Sequence, residues 1–211
     1  MGCAWHNPFF MYKQVKQVVI LCVAKETGEA YFSFIQGEYM VFERFYPTEY
    51  YESAYVIDYD RLYAEGYRCV IYDVDNTLVE HGAPADERAL KLMSHLMELG
   101  FKITFLSNNK EQRVKMFNEQ IGAQYIYKAG KPKIANYLKA VENMGCTKEQ
   151  ALFVGDQLFT DVWGANRAGI RSALVVPINT DTDEIQIVLK RKLERIVLKK
   201  YLKKNEIIGG R

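Results

Sequence analysis

The sequence predicts an α/β fold, in which one parallel β-sheet carries helices on both of its faces. Short apolar runs rich in β-branched and aromatic residues alternate with amphipathic segments of helical period. The connections between them are short, as expected for right-handed crossovers between parallel strands. Several of the apolar runs also end in polar or charged side chains, and ligands bind beyond the carboxyl ends of the strands in such sheets.

The predicted elements alternate along the chain from residue 40 to residue 180. Strands are expected from Cys69 to the Asp73 motif and at residues 102–106, 125–127, 151–154 and 171–176. Helices are expected at residues 47–53, 58–65, 86–99, 111–119, 131–144 and 160–168. Gly66, Gly100 and Gly145 each follow a predicted helix, in the position where glycine commonly ends one.

Composition places the chain among ordinary globular proteins. It has 211 residues, of which 49% are hydrophobic and 26% charged, which suits one well-buried domain with extra pieces. The longest wholly apolar run, residues 18–24, is too short to span a bilayer, and the N-terminus lacks the features of an export signal. The four cysteines have no metal-binding spacing, so we expect reduced thiols and a cytoplasmic protein.

The domain organisation predicted is an extension at residues 1–39, a core at 40–180 and a basic amphipathic tail at 181–211. Residues 15–24 and 31–35 could form a hairpin appendage. Alternatively, the extension is a translated upstream region and Met40 is the native start. The tail carries nine Lys/Arg against five Asp/Glu, so the basic character of the chain is local and indicates an anionic surface more than a nucleic acid.

Two carboxylates follow the first predicted strand of the core. Because side chains alternate along an extended chain, Asp73 and Asp75 leave the strand end in roughly the same direction. Two like charges this close need a cation between them and a substrate, and Mg2+ prefers carboxylate and carbonyl oxygens. Solvated carboxylates at a strand-to-turn junction would be the simpler interpretation of this motif alone.

Polar groups at the other strand ends favour a shared site. Ser107 and Asn108 follow the second strand, Asp156 follows the fourth, and Lys131 comes after the third. A helix-capping role for Ser107 or a solvated Lys131 would explain each residue separately. Four strand ends that together supply carboxylates, a hydroxyl and a cation instead predict one active site at the carboxyl edge of the sheet.

The motifs in this order resemble the haloacid dehalogenase (HAD) superfamily of phosphatases. They are Asp-Val-Asp-Asn-Thr at 73–77, Ser-Asn-Asn at 107–109, Lys-Pro at 131–132 and Gly-Asp-Gln-Leu-Phe-Thr-Asp at 155–161. More narrowly, residues 42–205 resemble the YqeG family of subclass IIIA and are similar to the fungal mitochondrial phosphatidylglycerophosphate phosphatase. The resemblance implies a Rossmann-like HAD fold. Only 31 residues lie between Asp75 and Ser107 and 23 between Ser107 and Lys131, which leaves no room for a sizeable cap domain.

The resemblance also implies catalytic roles. Asp73 would be the nucleophile that forms an aspartyl-phosphate, and Asp75 would protonate the leaving oxygen and then activate water. Lys131 would neutralise phosphate charge. Mg2+ would be held by the Asp73 carboxylate, the main-chain carbonyl of Asp75 and the Asp156 carboxylate.

The remaining motif residues have supporting roles by the same resemblance. Ser107 would bind the transferring phosphoryl group, with Asn108 and Thr77 also assigned to phosphate binding. Asp161 would orient Lys131 or a metal-bound water from behind the metal site.

The tail predicts a helix over residues 185–202, with aliphatic side chains on one side and basic ones on the other. It could pack on the core by its aliphatic side, or lie on an anionic membrane through the basic residues between Lys190 and Lys204.

The expected function is Mg2+-dependent hydrolysis of phosphatidylglycerophosphate to phosphatidylglycerol. The alternatives are hydrolysis of a soluble phosphoester, such as a nucleotide or sugar phosphate, and a non-catalytic adaptor. No nucleic-acid partner is expected.

Overall fold

Seven parallel strands form the sheet in the computed structural model, which describes residues 42–181 and 185–209. Their order across the sheet is β4-β3-β2-β5-β6-β1-β7. The strands are β1 (Glu49–Tyr51), β2 (Cys69–Tyr72), β3 (Lys102–Leu106), β4 (Gln124–Ile126), β5 (Ala151–Gly155), β6 (Arg171–Val175) and β7 (Ile207–Ile208).

Six α-helices accompany the sheet among the described residues. They are α1 (Tyr59–Ala64), α2 (Glu87–Leu99), α3 (Glu111–Asn118), α4 (Ala135–Asn143), α5 (Trp163–Ala168) and α6 (Ile185–Tyr201). Short 3-10 turns lie at Ala54–Val56 and Lys148–Gln150, and a π-helical turn at Leu158–Val162 leads into α5. Between Asp75 and Lys131 the chain holds only loops, α2, β3, α3 and β4, so the prediction of a fold without a sizeable cap is confirmed.

The central strand β2 divides its side chains between two apolar layers. Val70 and Tyr72 pack with residues of α1, α2 and α3, whereas Cys69 and Ile71 pack with residues of α4 and α5. This alternation follows from the period of two in an extended chain, and a strand covered on both faces is apolar throughout. The predicted parallel sheet with helices on both faces is therefore confirmed.

Local signals in the sequence set the ends of α2. The Asp86 side chain accepts a hydrogen bond from the Ala89 backbone N–H at 2.7 Å, which satisfies a donor that the helix leaves free at its start. Gly100 follows the last turn with φ 95°, a conformation that glycine adopts without steric cost. Met93 and Leu96 are buried against the sheet.

Three predicted elements differ from the structure. Residues 47–53 are not a helix, because Glu49–Tyr51 forms β1, which pairs with β6 and β7. A three-residue strand paired with strands more than 100 residues away leaves little local signal. The helix predicted from Lys131 begins only at Ala135, and the one predicted at 160–168 is divided between the π-helical turn and α5.

The tail forms α6, but it does not pack on the core by its aliphatic side, which was one of the two arrangements that the sequence left open. The aliphatic side chains expected to pack on the core are mostly exposed: Ile185 88%, Leu189 62%, Leu193 53% and Ile196 55%. The buried residues of α6 are Glu194, Val197 and Tyr201. Basic side chains on the inner side make bonds to the protein: Lys190 donates to Gln157, and Arg191 pairs with Asp156. These bonds hold the side of α6 that carries Lys190 and Arg191 against the protein, and the aliphatic side is left exposed.

The thiols of Cys69 and Cys146 are joined as a disulfide, with their Cα atoms 6.6 Å apart, so the expectation of reduced thiols is wrong for this pair. The cause is the fold: β2 and the turn after α4 meet in one apolar layer.

The predicted extension at residues 1–39, including its hairpin, lies outside the described residues. In the part of the chain that is described, no helix has the length and apolar character needed to cross a bilayer.

Candidate active site

The site begins where β2 ends, at a buried ion-paired cluster. Asp73 comes directly after the strand and is held there by a backbone hydrogen bond from its N–H to the Val154 carbonyl at 2.9 Å. Lys131 Nζ lies 2.9 Å from Asp73 Oδ1 and 2.8 Å from Asp161 Oδ1. All three side chains are buried. A buried cation shared by two carboxylates compensates for the lost hydration of all three groups.

Lys131 reaches this position because Asn108 fixes its backbone. The Lys131 N–H donates to Asn108 Oδ1 at 2.7 Å, and Asn108 Nδ2 donates to the Lys131 carbonyl at 3.3 Å. Asn108 was predicted to bind phosphate, but in the structure both ends of its amide bond the loop that carries Lys131. The sequence signal, an amide directly after β3, did not distinguish these two roles.

A second pair completes the acidic cluster. Arg191 of α6 donates to Asp156 Oδ2 at 2.6 Å, and Thr77 Oγ1 lies 3.4 Å from Asp156 Oδ1. Asp73, Asp156 and Asp161 each present a carboxylate oxygen, and these oxygens lie within 4.8 Å of one another. Three buried carboxylates at this spacing fit a hard divalent cation such as Mg2+.

Burial also shifts the proton affinities of this cluster. Loss of hydration raises the pKa of Asp73 to about 8, although Lys131 counteracts the shift. The pKa of Asp156 is raised to about 7 for the same reason, against the attraction of Arg191. Burial by itself would lower the pKa of Lys131, but Asp161 and Asp73 hold it above its ordinary value. The metal-free site therefore binds protons that a cation would displace.

Asp75 points into a separate set of donors. Arg113 Nε and Nη2 donate to Asp75 Oδ1 at 3.0 and 2.9 Å, and Asn109 Nδ2 donates to Oδ2 at 2.9 Å. The Gly82 backbone N–H also donates to Oδ1, at 2.9 Å. Both carboxylate oxygens are thus fixed in direction, as charge-assisted hydrogen bonds would do for a group that moves a proton.

Ser107 lies at the same edge of the sheet. Tyr72 pairs with Phe105 in register, so the residues that follow β2 and β3 emerge side by side. Ser107 is buried, and its Oγ accepts a hydrogen bond from the Asn109 N–H at 3.1 Å. The predicted residues at the ends of β2, β3 and β5 therefore converge on one edge, together with Lys131.

Three site residues did not come from the sequence reasoning. Asn109 was part of the Ser-Asn-Asn motif but had no role, and Arg113 is four residues later, so the two lie on one side of the chain as it enters α3. That spacing was the available signal. Arg191 had none, because it is one of many basic residues in the tail and meets Asp156 only through the tertiary fold.

Comparison with known proteins assigns the family. Residues 23–169 match the family described as haloacid dehalogenase-like hydrolase. The chain belongs to this family. Its fold and the order of its motifs agree with the assignment, and the resemblance to HAD phosphatases noted in the sequence is confirmed.

Named relatives of this HAD-family chain are phosphatases. It is 39% identical to the probable phosphatase YqeG of Bacillus subtilis (strain 168), over 77% of this chain and 95% of that protein. It is 25% identical to phosphatidylglycerophosphate phosphatase 1, chloroplastic/mitochondrial, of Arabidopsis thaliana, over 70% of this chain and 45% of that protein. A chloroplastic phosphatidylglycerophosphate phosphatase 1 of Chlamydomonas reinhardtii is 25% identical over 65% of this chain and 55% of that protein. The chain is thus an HAD-type phosphatase.

Proposed function

We propose that this HAD phosphatase hydrolyses the phosphomonoester of phosphatidylglycerophosphate to give phosphatidylglycerol, through an aspartyl-phosphate. The observation that carries the proposal is the pair Asp73 and Asp75, one residue apart, with different partners. Asp73 lies in the buried cluster with Lys131, and Asp75 lies among the donors Arg113 and Asn109. Two carboxylates in different surroundings suit a nucleophile and a proton carrier.

Each step then uses a group of this chain. A carboxylate oxygen of Asp73 attacks phosphorus and the bond to the leaving oxygen breaks, while Asp75 gives that oxygen a proton. Asp75 next accepts a proton from water, which attacks the aspartyl-phosphate and releases inorganic phosphate and the Asp73 carboxylate. Lys131 and Ser107 stabilise the charge on the phosphoryl oxygens throughout.

We propose Mg2+ as the cofactor. The acidic cluster of Asp73, Asp156 and Asp161 supports a hard cation. Asp73 and Asp156 would hold Mg2+ together with the main-chain carbonyl of Asp75. When bound, the ion supplies positive charge that favours attack on a phosphate dianion. Asp161 already bonds Lys131 and the Gln157 N–H, which supports its predicted role in orienting Lys131.

Two findings support the lipid substrate. The relatives from Arabidopsis and Chlamydomonas are named for phosphatidylglycerophosphate, and the chain between Asp75 and Lys131 has no cap domain that would close over a bulky substrate. A phosphate on a lipid headgroup can reach such an open site, whereas a capped site would admit only a small molecule.

The test measures phosphate release from phosphatidylglycerophosphate in mixed micelles and from a panel of soluble phosphoesters, with Mg2+ present. Asp73→Asn is the blank, because it removes the nucleophile. We expect turnover of the lipid that is lost in the variant and in EDTA. Preference for a nucleotide or sugar phosphate would discard the lipid substrate and keep the phosphatase. No turnover of any ester would favour the adaptor.

We also propose that the protein is cytoplasmic and that α6 seats it on the inner face of an anionic membrane. The exposed aliphatic side chains Ile185, Leu189, Leu193 and Ile196 run along one side of the helix, with basic residues between Lys190 and Lys204 around them. Such a helix gains free energy both from apolar burial and from attraction to anionic headgroups. The sequence predicted membrane contact through the basic residues between Lys190 and Lys204. The proposed contact relies more on the aliphatic side, because Lys190 and Arg191 are bonded to the protein.

Sedimentation with vesicles tests the membrane contact. The full chain should sediment with phosphatidylglycerol vesicles and much less with phosphatidylcholine vesicles, and high salt should weaken binding. Leu189→Ser with Leu193→Ser should abolish sedimentation, whereas Leu138→Ser, at an exposed leucine of α4, should not. Equal binding of all three proteins would contradict the proposal.

A further inference from the structure

A cleft lies between α6 and the carboxyl edge of β1 and β6, directly beside the acidic cluster. Its volume is about 380 Å³. Asp156 lines it, together with the apolar side chains of Leu174, Pro177, Val188 and Leu198. Cavities of this size hold small organic groups. Because Asp156 also belongs to the acidic cluster, a group bound in the cleft would lie near a phosphate bound at Asp73.

The charged side chains that line the cleft differ in whether they already bond another group of the protein. Arg191 is bonded to Asp156, and the buried carboxylate of Glu194 accepts a hydrogen bond from the Phe159 N–H at 2.9 Å. Arg195 also lines the cleft, but among residues 42–181 and 185–209 it forms no ion pair. The guanidinium of Arg195 is therefore the charge in the cleft that remains for a ligand, and a guanidinium binds phosphate oxygens in pairs.

The spacing along α6 relates this guanidinium to the acidic cluster. Arg191 and Arg195 are four residues apart, which places them on the same side of the helix about one turn, or about 5–6 Å, from each other. Arg191 contacts Asp156, so Arg195 stands about one turn farther from the scissile phosphate. The hydroxyl-bearing residues Tyr50 and Thr180 also line the cleft and add further donors.

The geometry points to this cleft as the subsite for a second phosphate of the substrate, one that is not hydrolysed. Arg195 binds the oxygens of a phosphodiester that is joined to the phosphomonoester by a glycerol-sized bridge. This inference rests on the proposed function and deepens it, because it makes Arg195 a specificity-determining residue for substrates that carry both a monoester and a diester. Glycerol phosphate, which lacks the diester, would leave the cleft empty.

The experiment compares two soluble substrates with Mg2+ present: glycerophosphoglycerophosphate, the deacylated headgroup with both phosphates, and glycerol 3-phosphate. In Arg195→Gln we expect the KM for the first to rise about tenfold more than the KM for the second, because a charged hydrogen bond is lost. Arg195→Lys should recover part of the difference. Lys139→Gln, which removes an exposed charge from α4, serves as the control and should change neither KM.

Direct binding separates this inference from the proposed function. Glycerophosphoglycerol carries only the diester, and its affinity for the wild-type protein and for Arg195→Gln can be measured by calorimetry without turnover. Weaker binding to Arg195→Gln would support the subsite even if phosphatidylglycerophosphate were not hydrolysed. Equal affinities, or an equal rise of KM for both soluble substrates, would overturn it. Circular dichroism of Arg195→Gln should match the wild type, because the side chain is exposed and forms no ion pair with the residues that the structure describes.

Discussion

Gly155, at the end of β5, has no space for a side chain because Asp161 lies against it. A Cβ atom at this position would be 2.6 Å from Cβ, Cγ and Oδ2 of Asp161. Asp161 is fully buried and bonded to both Lys131 and the Gln157 N–H. The close approach of a strand end and a carboxylate therefore keeps Lys131 oriented toward Asp73.

We predict that Gly155→Ala lowers the free energy of unfolding by about 1–3 kcal/mol, because the added methyl displaces the Asp161 side chain. Urea denaturation monitored by fluorescence measures the change. In the Asp161→Gly background the same substitution should cost much less, since Cβ, Cγ and Oδ2 of residue 161 are all absent, and a double-mutant cycle isolates this coupling. Equal costs in both backgrounds would contradict the steric explanation.

Arg113 is the residue that holds the Asp75 carboxylate from α3. We predict that Arg113→Gln lowers kcat by about 10- to 100-fold, because a misdirected proton carrier loses much of its catalytic effect. The KM should change less, since Asp75 is proposed to move protons and not to bind the substrate. Steady-state kinetics on the preferred ester provide the measurement. Lys115→Gln on the same helix, where Lys115 pairs with Glu111 at the surface, should leave kcat unchanged.

At the scale of elements, α6 joins two unlike surfaces. Its inner side bonds the segment after β5 through Lys190, Arg191 and Glu194, and its outer side exposes aliphatic residues. A helix that buries polar groups and exposes apolar ones has the reverse of the usual pattern for a helix on a globular core. This reversal supports the proposal that the outer side of α6 contacts a membrane.

A pair of substitutions on α6 tests this orientation. Val197 is 2% exposed, so Val197→Ala should lower the free energy of unfolding by about 2 kcal/mol. Leu193, although larger, is 53% exposed, and Leu193→Ala should cost less than about 0.5 kcal/mol. Chemical denaturation of the two variants in parallel gives both values. A larger cost at Leu193 would mean that the aliphatic side packs on the core, as the sequence first suggested.

At the scale of the whole molecule, the buried carboxylates link stability to pH. The pKa of Asp73 is raised to about 8 and that of Asp156 to about 7, both from 3.8. At pH values between the ordinary pKa of 3.8 and these raised values, the folded protein binds more protons than the unfolded chain. Its stability therefore falls as the pH rises through this range. Lys131 does not alter this window, because its raised pKa keeps it charged throughout.

We therefore predict that the metal-free protein loses unfolding free energy steadily between about pH 5 and about pH 8. Urea denaturation in EDTA across this range measures the slope. Asp73→Asn should reduce the slope, since one of the two titrating groups is removed. Added Mg2+ should bind more tightly as the pH rises, because it displaces protons from the same carboxylates. A stability that is constant or increases over this range would contradict the prediction.

The sequence predicted the central sheet well because its signals are local. Apolar runs ending at Asp73, Ser107 and Asp156 identified β2, β3 and β5 and the edge where their polar residues meet. The short strands β1 and β7 were missed, since two or three residues carry no periodicity and both depend on distant partners. Arg191 was missed for the same reason: the packing of α6, and no feature near it in the chain, brings it to Asp156.

The position of β1 in the sheet also has a consequence for synthesis on the ribosome. Glu49 pairs with Ala173, and Tyr50 pairs with Ile207 on the other side, so β1 is made early but both of its partners are made late. At about 5–20 residues per second, roughly 6–25 s pass between the emergence of β1 and that of β6. The strands β2, β3 and β4 can assemble during this interval. The nascent chain therefore carries an aromatic segment at β1 that has no strand partner during this interval.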